Sequence, residues 1–224
     1  IIPYNTSAKE IAAMNPKGII LSGGPASVTD KKSPVPDKGI FKLGIPILGI
    51  CYGMQVIAEE LAGKVKHTRA REYGKVELFI DDNRDLFSHV PGNFTCWASH
   101  GDFVTKIPAG FHVSAHTTNT PIAAISNPRK KIFAVQFHPE VTHTEKGNQI
   151  LGNFLFKICG CLGRWTMQNF IRETIENTIR AVGKEKVVLG LSGGVDSSVV
   201  ALLLHKAIGK NSRCIFINNG LLRK

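Results

Sequence analysis

The chain has 224 residues, of which 43% are apolar and 20% are charged, with a formal net charge of +11. This composition favours a packed core in one or two domains and disfavours a disordered chain. No apolar run reaches the ~18 residues that a membrane span needs, and the N-terminal residues lack the pattern of a signal peptide. We therefore expect a soluble, cytoplasmic protein that has no membrane partner.

The basic charge favours anionic partners, either nucleic acid or phosphorylated small molecules. The positive residues are dispersed, and the aromatic content of 8% is not interleaved with them. A binding platform for single-stranded nucleic acid is therefore not indicated. We expect small-molecule substrates and no nucleic-acid partner.

Five cysteines, at positions 51, 96, 159, 161 and 214, are too scattered for a disulfide framework. Their odd number favours free thiols in a reducing compartment. The close pair at 159 and 161 could bind a metal or be redox-active, but no second pair stands at the spacing of zinc ligands. Buried or incidental thiols are the preferred interpretation.

Short β-branched runs alternate with helical patterns along the first two thirds of the chain. Buried strands are predicted at residues 18–23, 45–50 and 131–137, and further strands at 75–80, 95–99 and 110–117. A helix is predicted from Tyr52 to Gly63. This order predicts an α/β fold with an open, mixed or mostly parallel sheet flanked by helices.

The pattern begins again after residue 158 with a helix, a strand, a glycine turn, a second helix and a second strand. We therefore predict a first domain at 1–158, a linker at 159–166 and a second α/β domain at 167–224. Both look incomplete. The first begins with no strand–helix pair ahead of "IIPYN", and the second stops after two strands.

A cysteine stands at the first strand–helix turn, in "GICYG" at 49–53. Such a turn lifts the side chain clear of the sheet, as the nucleophile elbow of hydrolases does. The glycines on either side allow a close backbone. The helix N-terminus favours a thiolate, and its free N–H groups can face an oxyanion. Cys51 is therefore a candidate nucleophile, although a lone cysteine after a strand is more often a small core residue.

His138 and Glu140 follow another predicted strand, in "QFHPE", and "SGGP" at 22–25 follows a third. Carboxyl ends of parallel strands meet at one edge, so a thiol, a base and its orienting carboxylate can assemble there. The glycine loop can add a second oxyanion donor. Each motif alone could be an ordinary turn, but the three together favour a catalytic site.

"SGGP", "GICYGMQ", "WASHGD" at 97–102 and "QFHPEVTHT" resemble the class I glutamine amidotransferases. Members of that family hydrolyse glutamine to ammonia with a Cys–His–Glu triad. The resemblance covers residues 1–158 and implies that Cys51 is the nucleophile, His138 the base and Glu140 its orienter. It also implies the groups that hold the oxyanion and the substrate glutamine: Gly24, Tyr52, Gln55, Gly101 and Asp102.

The second glycine turn, "SGGVDSS" at 192–198, lacks the Gly-Lys ending of a Walker A loop. Its glycines, hydroxyls and helix N–H groups can still cradle a phosphate, although a plain capped turn is the alternative. Asp196 would repel a phosphate unless it caps the helix or holds Mg²⁺. The predicted phosphate-binding residues are Ser192, Gly193, Gly194, Val195, Asp196, Ser197 and Ser198.

This turn resembles the PP-loop of ATP pyrophosphatases, of adenine nucleotide α-hydrolase-like fold, and "FINNGLLR" at 216–223 resembles a later segment of theirs. That resemblance implies ATP and Mg²⁺ as cofactors. The order of the two domains resembles the family of glutamine-hydrolysing GMP synthases. These carbon–nitrogen ligases of purine biosynthesis use glutamine, XMP and ATP, and the resemblance implies a homodimer for the intact protein.

Two other functions stay open at this point. One is a tRNA-modifying PP-loop protein fused to an amidotransferase, which the net charge permits but the dispersed basic residues disfavour. The other is a non-catalytic glutamine-binding module, which the complete Cys–His–Glu set disfavours.

Overall fold

The computed structural model describes residues 1–30, 32–163 and 166–216, and it divides into two compact units. The first runs from Ile1 to Leu162, and the second begins at Gly163. Among the residues described, no helix is long and apolar enough to cross a membrane.

A seven-stranded sheet forms the first unit. Its strands are β1 (Ile19–Leu21), β2 (Ile47–Ile50), β3 (Lys64–Ile80), β4 (Asn93–Lys106), β5 (His112–Thr117), β6 (Ala124–Asn127) and β7 (Ile132–Val135). They lie in the order β1-β2-β7-β6-β5-β3-β4. The pairs β1–β2 and β2–β7 are parallel, and the other four pairs are antiparallel.

Three helices flank this sheet: α1 (Ala8–Ala13), α2 (Tyr52–Glu60) and α3 (Gly147–Gly152), the last continued by a π-helical segment at Asn153–Ile158. Short 3₁₀ turns lie at Lys38–Lys42 and Asp85–Phe87. Strands β2 and β7 are apolar throughout because both of their faces are buried. Their side chains alternate between one cluster beneath α2, with Met54 and Ile57, and another with Ile150 and Phe154.

The structure confirms the six predicted strands and the open mixed sheet, but the expectation of mostly parallel pairing was wrong. Strands β3 and β4 are 17 and 14 residues long and form an antiparallel hairpin. The alternating burial along β4 is typical of such strands. The short strand β6 was not predicted, and α2 ends at Glu60 because Ala62 takes a left-handed φ of 69°.

The second unit contains α4 (Met167–Val182), β8 (Val187–Leu191), α5 (Val195–Ile208), a 3₁₀ turn at Gly209–Asn211 and β9 (Ser212–Phe216). Strands β8 and β9 pair in parallel, as expected for the start of an α/β domain. "FINNGLLR" falls outside the described residues after Phe216. The five cysteines are free thiols.

Candidate active site

Cys51 occupies the sharp turn between β2 and α2. Its backbone has φ 51° and ψ −105°, a conformation that residues other than glycine rarely adopt. The turn is fixed to the neighbouring strand β7, because the backbone N–H of Cys51 donates to Val135 O at 2.8 Å. A strained turn at this position is the feature that the sequence predicts for a nucleophile lifted clear of the sheet.

The glycines on either side of Cys51 are required by close packing. A Cβ atom at Gly49 would lie 2.6 Å from Ile57 Cδ1 and 2.7 Å from backbone atoms of Gly53. At Gly53 it would lie 2.1 Å from Leu21 O, at the end of β1. Helix α2 therefore begins directly on the ends of two strands, which only glycine permits.

His138 and Glu140 meet Cys51 at the same sheet edge. His138 Nδ1 lies 2.7 Å from Glu140 Oε1, so Nε2 is the ring nitrogen left for Cys51. The hydrogen bond to Cys51 and then that to Glu140 outweigh burial and raise the pKa of His138 from 6.5 to about 9. The histidine is therefore protonated at neutral pH and suited to pair with a thiolate.

The backbone around His138 is fixed by a second set of hydrogen bonds. His138 N–H donates to Trp97 O at 2.9 Å, which ties the turn to β4. Thr144 Oγ1 donates to His138 O at 2.6 Å and accepts from Trp97 N–H at 3.0 Å. Thr144 thus joins the base to the hairpin, a role that the "HPEVTHT" motif did not reveal from sequence.

Substitution of Glu140 by glutamine tests the electrostatic part of this arrangement. Without the carboxylate the pKa of His138 falls, so the imidazolium is lost at lower pH. For the glutamine hydrolysis that the resemblance implies, we expect the alkaline limit of kcat/KM to move to lower pH, with a loss on the order of 100-fold at the optimum. The measurement is the pH–rate profile of both proteins. An unmoved alkaline limit would contradict the assigned pair.

A cavity of about 530 Å³ lies over the Cys51 thiol. The predicted site residues that line it are Gly24, Cys51, Tyr52, Gln55, Gly101, Asp102 and His138. Glu140 does not line the cavity but contacts His138, which does. The structure thus brings every residue predicted for this half of the chain to one place.

The polar groups around the cavity are arranged to receive a ligand. In the described part of the chain, the backbone N–H groups of Gly24 and Tyr52 have no acceptor. Gln55 Nε2 donates to the backbone oxygen of Asp102 at 2.9 Å, and the Gln55 carbonyl oxygen has no partner among the residues that the structure describes. Unpaired donors and acceptors beside a thiol are what a carboxamide substrate requires.

The side chain of Asp102 is already occupied by protein partners. Ser27 Oγ donates to Asp102 Oδ2 at 2.5 Å, and His67 Nδ1 lies 2.7 Å from Oδ1. These bonds connect the loop after β1 to β3 and β4 beside the cavity. Neither Ser27 nor His67 was predicted, because nothing in their own sequence surroundings marks a contact so distant along the chain.

The predicted phosphate-binding residues form one turn between β8 and α5. Gly193 takes φ 80°, and Gly194 stands as the N-cap without a side-chain cap. Ser197 and Ser198 hydroxyls donate to Gly194 O at 3.1 and 2.9 Å. Ser192 Oγ lies 3.1 Å from Ser197 Oγ. Val195 and Asp196 open the helix, and Asp196 does not cap it.

Both units of the chain match known families. The family model of glutamine amidotransferase class-I matches residues 1–158, and the model of NAD synthase matches 167–217. GMP synthase [glutamine-hydrolyzing] of Acetivibrio thermocellus is 54% identical over all 224 residues, and that of Caldicellulosiruptor saccharolyticus is 55% identical. The chain spans 44% of the length of each.

A solved structure has the same fold. It comes from a Thermoplasma acidophilum protein that is assigned provisionally to GMP synthase, as one component of that enzyme. The TM-score is 0.61 at 26% identity, with 77% of this chain and 83% of that one covered. With the family model matched over residues 1–158, the chain belongs to the class I glutamine amidotransferase family.

Proposed function

We propose that the intact protein is a glutamine-hydrolysing GMP synthase. Glutamine hydrolysis supplies ammonia, ATP adenylates XMP, and ammonia displaces AMP to give GMP, AMP and pyrophosphate. The observation that carries this proposal is the match of all 224 residues, across both units, to enzymes of that name. The homodimer implied by the resemblance stays a prediction.

We assign residues 1–158 to the glutaminase, 159–166 to a linker and 167–224 to part of the ATP pyrophosphatase. In the glutaminase, Cys51 attacks the carboxamide carbon of glutamine, and His138 protonates the departing ammonia. Water then cleaves the thioester with His138 as the base. Glu140 keeps the imidazole oriented through the bond to Nδ1.

The polar groups that line the cavity support this chemistry. The free N–H groups of Gly24 and Tyr52 would hold the oxyanion of the tetrahedral intermediate, each worth about 3 kcal/mol in comparable sites. The unpaired carbonyl oxygen of Gln55 and the backbone at Gly101 and Asp102 would bind the amino-acid end of the substrate. The reacting carboxamide would then lie over the Cys51 thiol.

The turn at 192–198 would bind the pyrophosphate that ATP releases. The helix N-terminus and the left-handed glycine offer backbone N–H groups to an anion, and the hydroxyls would turn to it from the oxygens that they contact within the turn. Mg²⁺ is usually held by one or two carboxylates and the substrate phosphates. The carboxylate of Asp196 fits that requirement because it is not used to cap the helix. The ion would neutralise charge on the leaving group.

Two sites in one protein answer two chemical difficulties. Ammonia in neutral water is mostly protonated and non-nucleophilic, so it is generated from glutamine within the protein. The C2 oxygen of xanthine is a poor leaving group, so it is activated by adenylation. The two turns have similar designs because each stabilises a developing anion at a helix N-terminus.

Pyrophosphate release by the intact protein tests the proposal. The assay contains ATP, Mg²⁺, glutamine and one acceptor at a time: XMP, the acid precursor of NAD, or tRNA. We expect release only with XMP. Release with the NAD precursor or with tRNA would leave glutamine hydrolysis and ATP cleavage in place but would contradict the assignment as a GMP synthase.

Substitution of Gly193 by alanine tests the assigned phosphate turn. A left-handed backbone costs a non-glycine residue about 1–2 kcal/mol, so the turn should shift and ammonia-driven pyrophosphate release should fall about tenfold or more. Gly190→Ala in β8 is the matched control, because its Cβ atom meets open space. Equal effects of the two substitutions would remove the phosphate role from the turn.

A further inference from the structure

Gln136 lies between β7 and the catalytic His138, and neither the motifs nor the proposed mechanism gives it a role. Only 1% of its surface is exposed. Its Nε2 lies 3.7 Å from Cys51 Sγ, and its Oε1 lies 3.4 Å from Gln55 Nε2. A buried amide thus connects the nucleophile to a residue of the substrate cavity.

The orientation of this amide is determined by its neighbours. The backbone oxygen of Asp102 can only accept, so the group that Gln55 presents to it must be the NH₂. The same NH₂ of Gln55 also donates to Gln136, so the atom of Gln136 that accepts this bond must be its carbonyl oxygen. The NH₂ of Gln136 is therefore directed at the sulfur. The hydrogen bonds thus decide which end of each amide is nitrogen and which is oxygen.

Gln136 is also held rigidly. Its backbone N–H donates to Ala123 O at 2.8 Å, and its side chain cannot turn without losing a bond. Hydrogen bonds to an ionised acceptor are about twice as strong as neutral ones, and more so away from water. A fixed donor beside Cys51 therefore favours the thiolate over the thiol.

This donor acts within a set of titratable groups. His138 is the ionisable group that contacts Cys51, and Glu140 stands behind it. The other titratable side chains lining the cavity are Tyr52, His67, Tyr73, His100 and Asp102. Gln136 differs from all of these because its amide does not titrate, so the group that faces the sulfur stays the same across the pH range.

We propose that Gln136 is a positioning residue that stabilises the Cys51 thiolate and fixes it relative to Gln55. The inference deepens the proposed function and rests on Cys51 being the glutaminase nucleophile. It predicts a change in the reactivity of the sulfur itself, apart from any change in glutamine binding.

The test compares the intact protein with Gln136→Met and Gln136→Glu. Methionine keeps the bulk without donors, and glutamate keeps the shape while replacing the donor with an oxygen. Gln168→Met, at an exposed position of α4, is the matched control. Alkylation of Cys51 by iodoacetamide is followed by mass spectrometry of its peptide, at about pH 7 and about pH 10.

At neutral pH we expect Cys51 in Gln136→Met to react about tenfold more slowly than in the parent protein, and in Gln136→Glu more slowly still. At high pH a thiolate forms without help from a hydrogen-bond donor, so the Gln136→Met and parent rates should agree within about twofold. Equal rates at neutral pH, or equal losses at both pH values, would overturn the inference. Thermal melting of each variant separates these effects from unfolding.

The parent protein supplies the check on the underlying function. Alkylation of Cys51 should abolish glutamine hydrolysis in proportion to the modified fraction. Hydrolysis that survives complete modification would reject Cys51 as the nucleophile, whatever the Gln136 variants show.

Discussion

Replacement of Cys51 by alanine should abolish glutamine-driven GMP synthesis in the intact protein and leave ammonia-driven synthesis in place. Without the thiolate no thioester forms, so we expect a loss of about four orders of magnitude or more with glutamine. Added ammonia bypasses this step, because the ATP-dependent chemistry is assigned to the second unit. The measurement is GMP formation with each nitrogen source at saturating ATP and XMP.

Cys214→Ala is the matched control, because this exposed thiol lies on β9 in the second unit. It should retain synthesis from both nitrogen sources. Equal loss of the two activities in Cys51→Ala would contradict the division of labour between the units.

Replacement of Gly53 by alanine should disrupt the site without removing any catalytic group. The new Cβ atom would lie 2.1 Å from Leu21 O and 2.8 Å from Leu21 C, both backbone atoms that cannot rotate away. Either α2 or β1 must therefore move, and these elements carry Cys51 and Gly24. We expect a loss of unfolding free energy of about 3 kcal/mol and a fall in glutaminase activity of about 100-fold or more.

Denaturant unfolding and glutaminase kinetics together measure this effect. Gly92→Ala is the control, since its Cβ atom meets nothing within 4 Å and it lies in a turn before β4. A Gly53→Ala protein with parental stability and activity would show that α2 does not begin as closely on β1 as the structure has it.

The strand ends that carry the site were predictable because their determinants are local. Apolar runs predict buried strands, and glycines beside Cys51 predict a tight turn into a helix. Parallel strands then bring Cys51 and His138 to one edge despite the distance between them in sequence. The resemblance supplied the predicted roles of Gln55 and Asp102, which no periodicity indicates.

The rest could not be predicted because it depends on tertiary placement. Strand β6 has only four residues, too few to show a periodicity, and the pairing of β3 with β4 is set by a partner rather than by either strand alone. The contacts of Ser27 and Gln136 arise only once the strands have paired into the sheet. Such side chains carry no pattern of their own along the sequence.

The transfer of amide nitrogen from glutamine to XMP tests the central claim most directly. The intact protein is given glutamine labelled with ¹⁵N in its side-chain amide, together with ATP, Mg²⁺ and XMP, and the products are analysed by mass spectrometry. The account predicts that ¹⁵N appears in GMP, in proportion to the AMP and pyrophosphate released. Label that appears only as free ammonium, with no GMP formed, would contradict it.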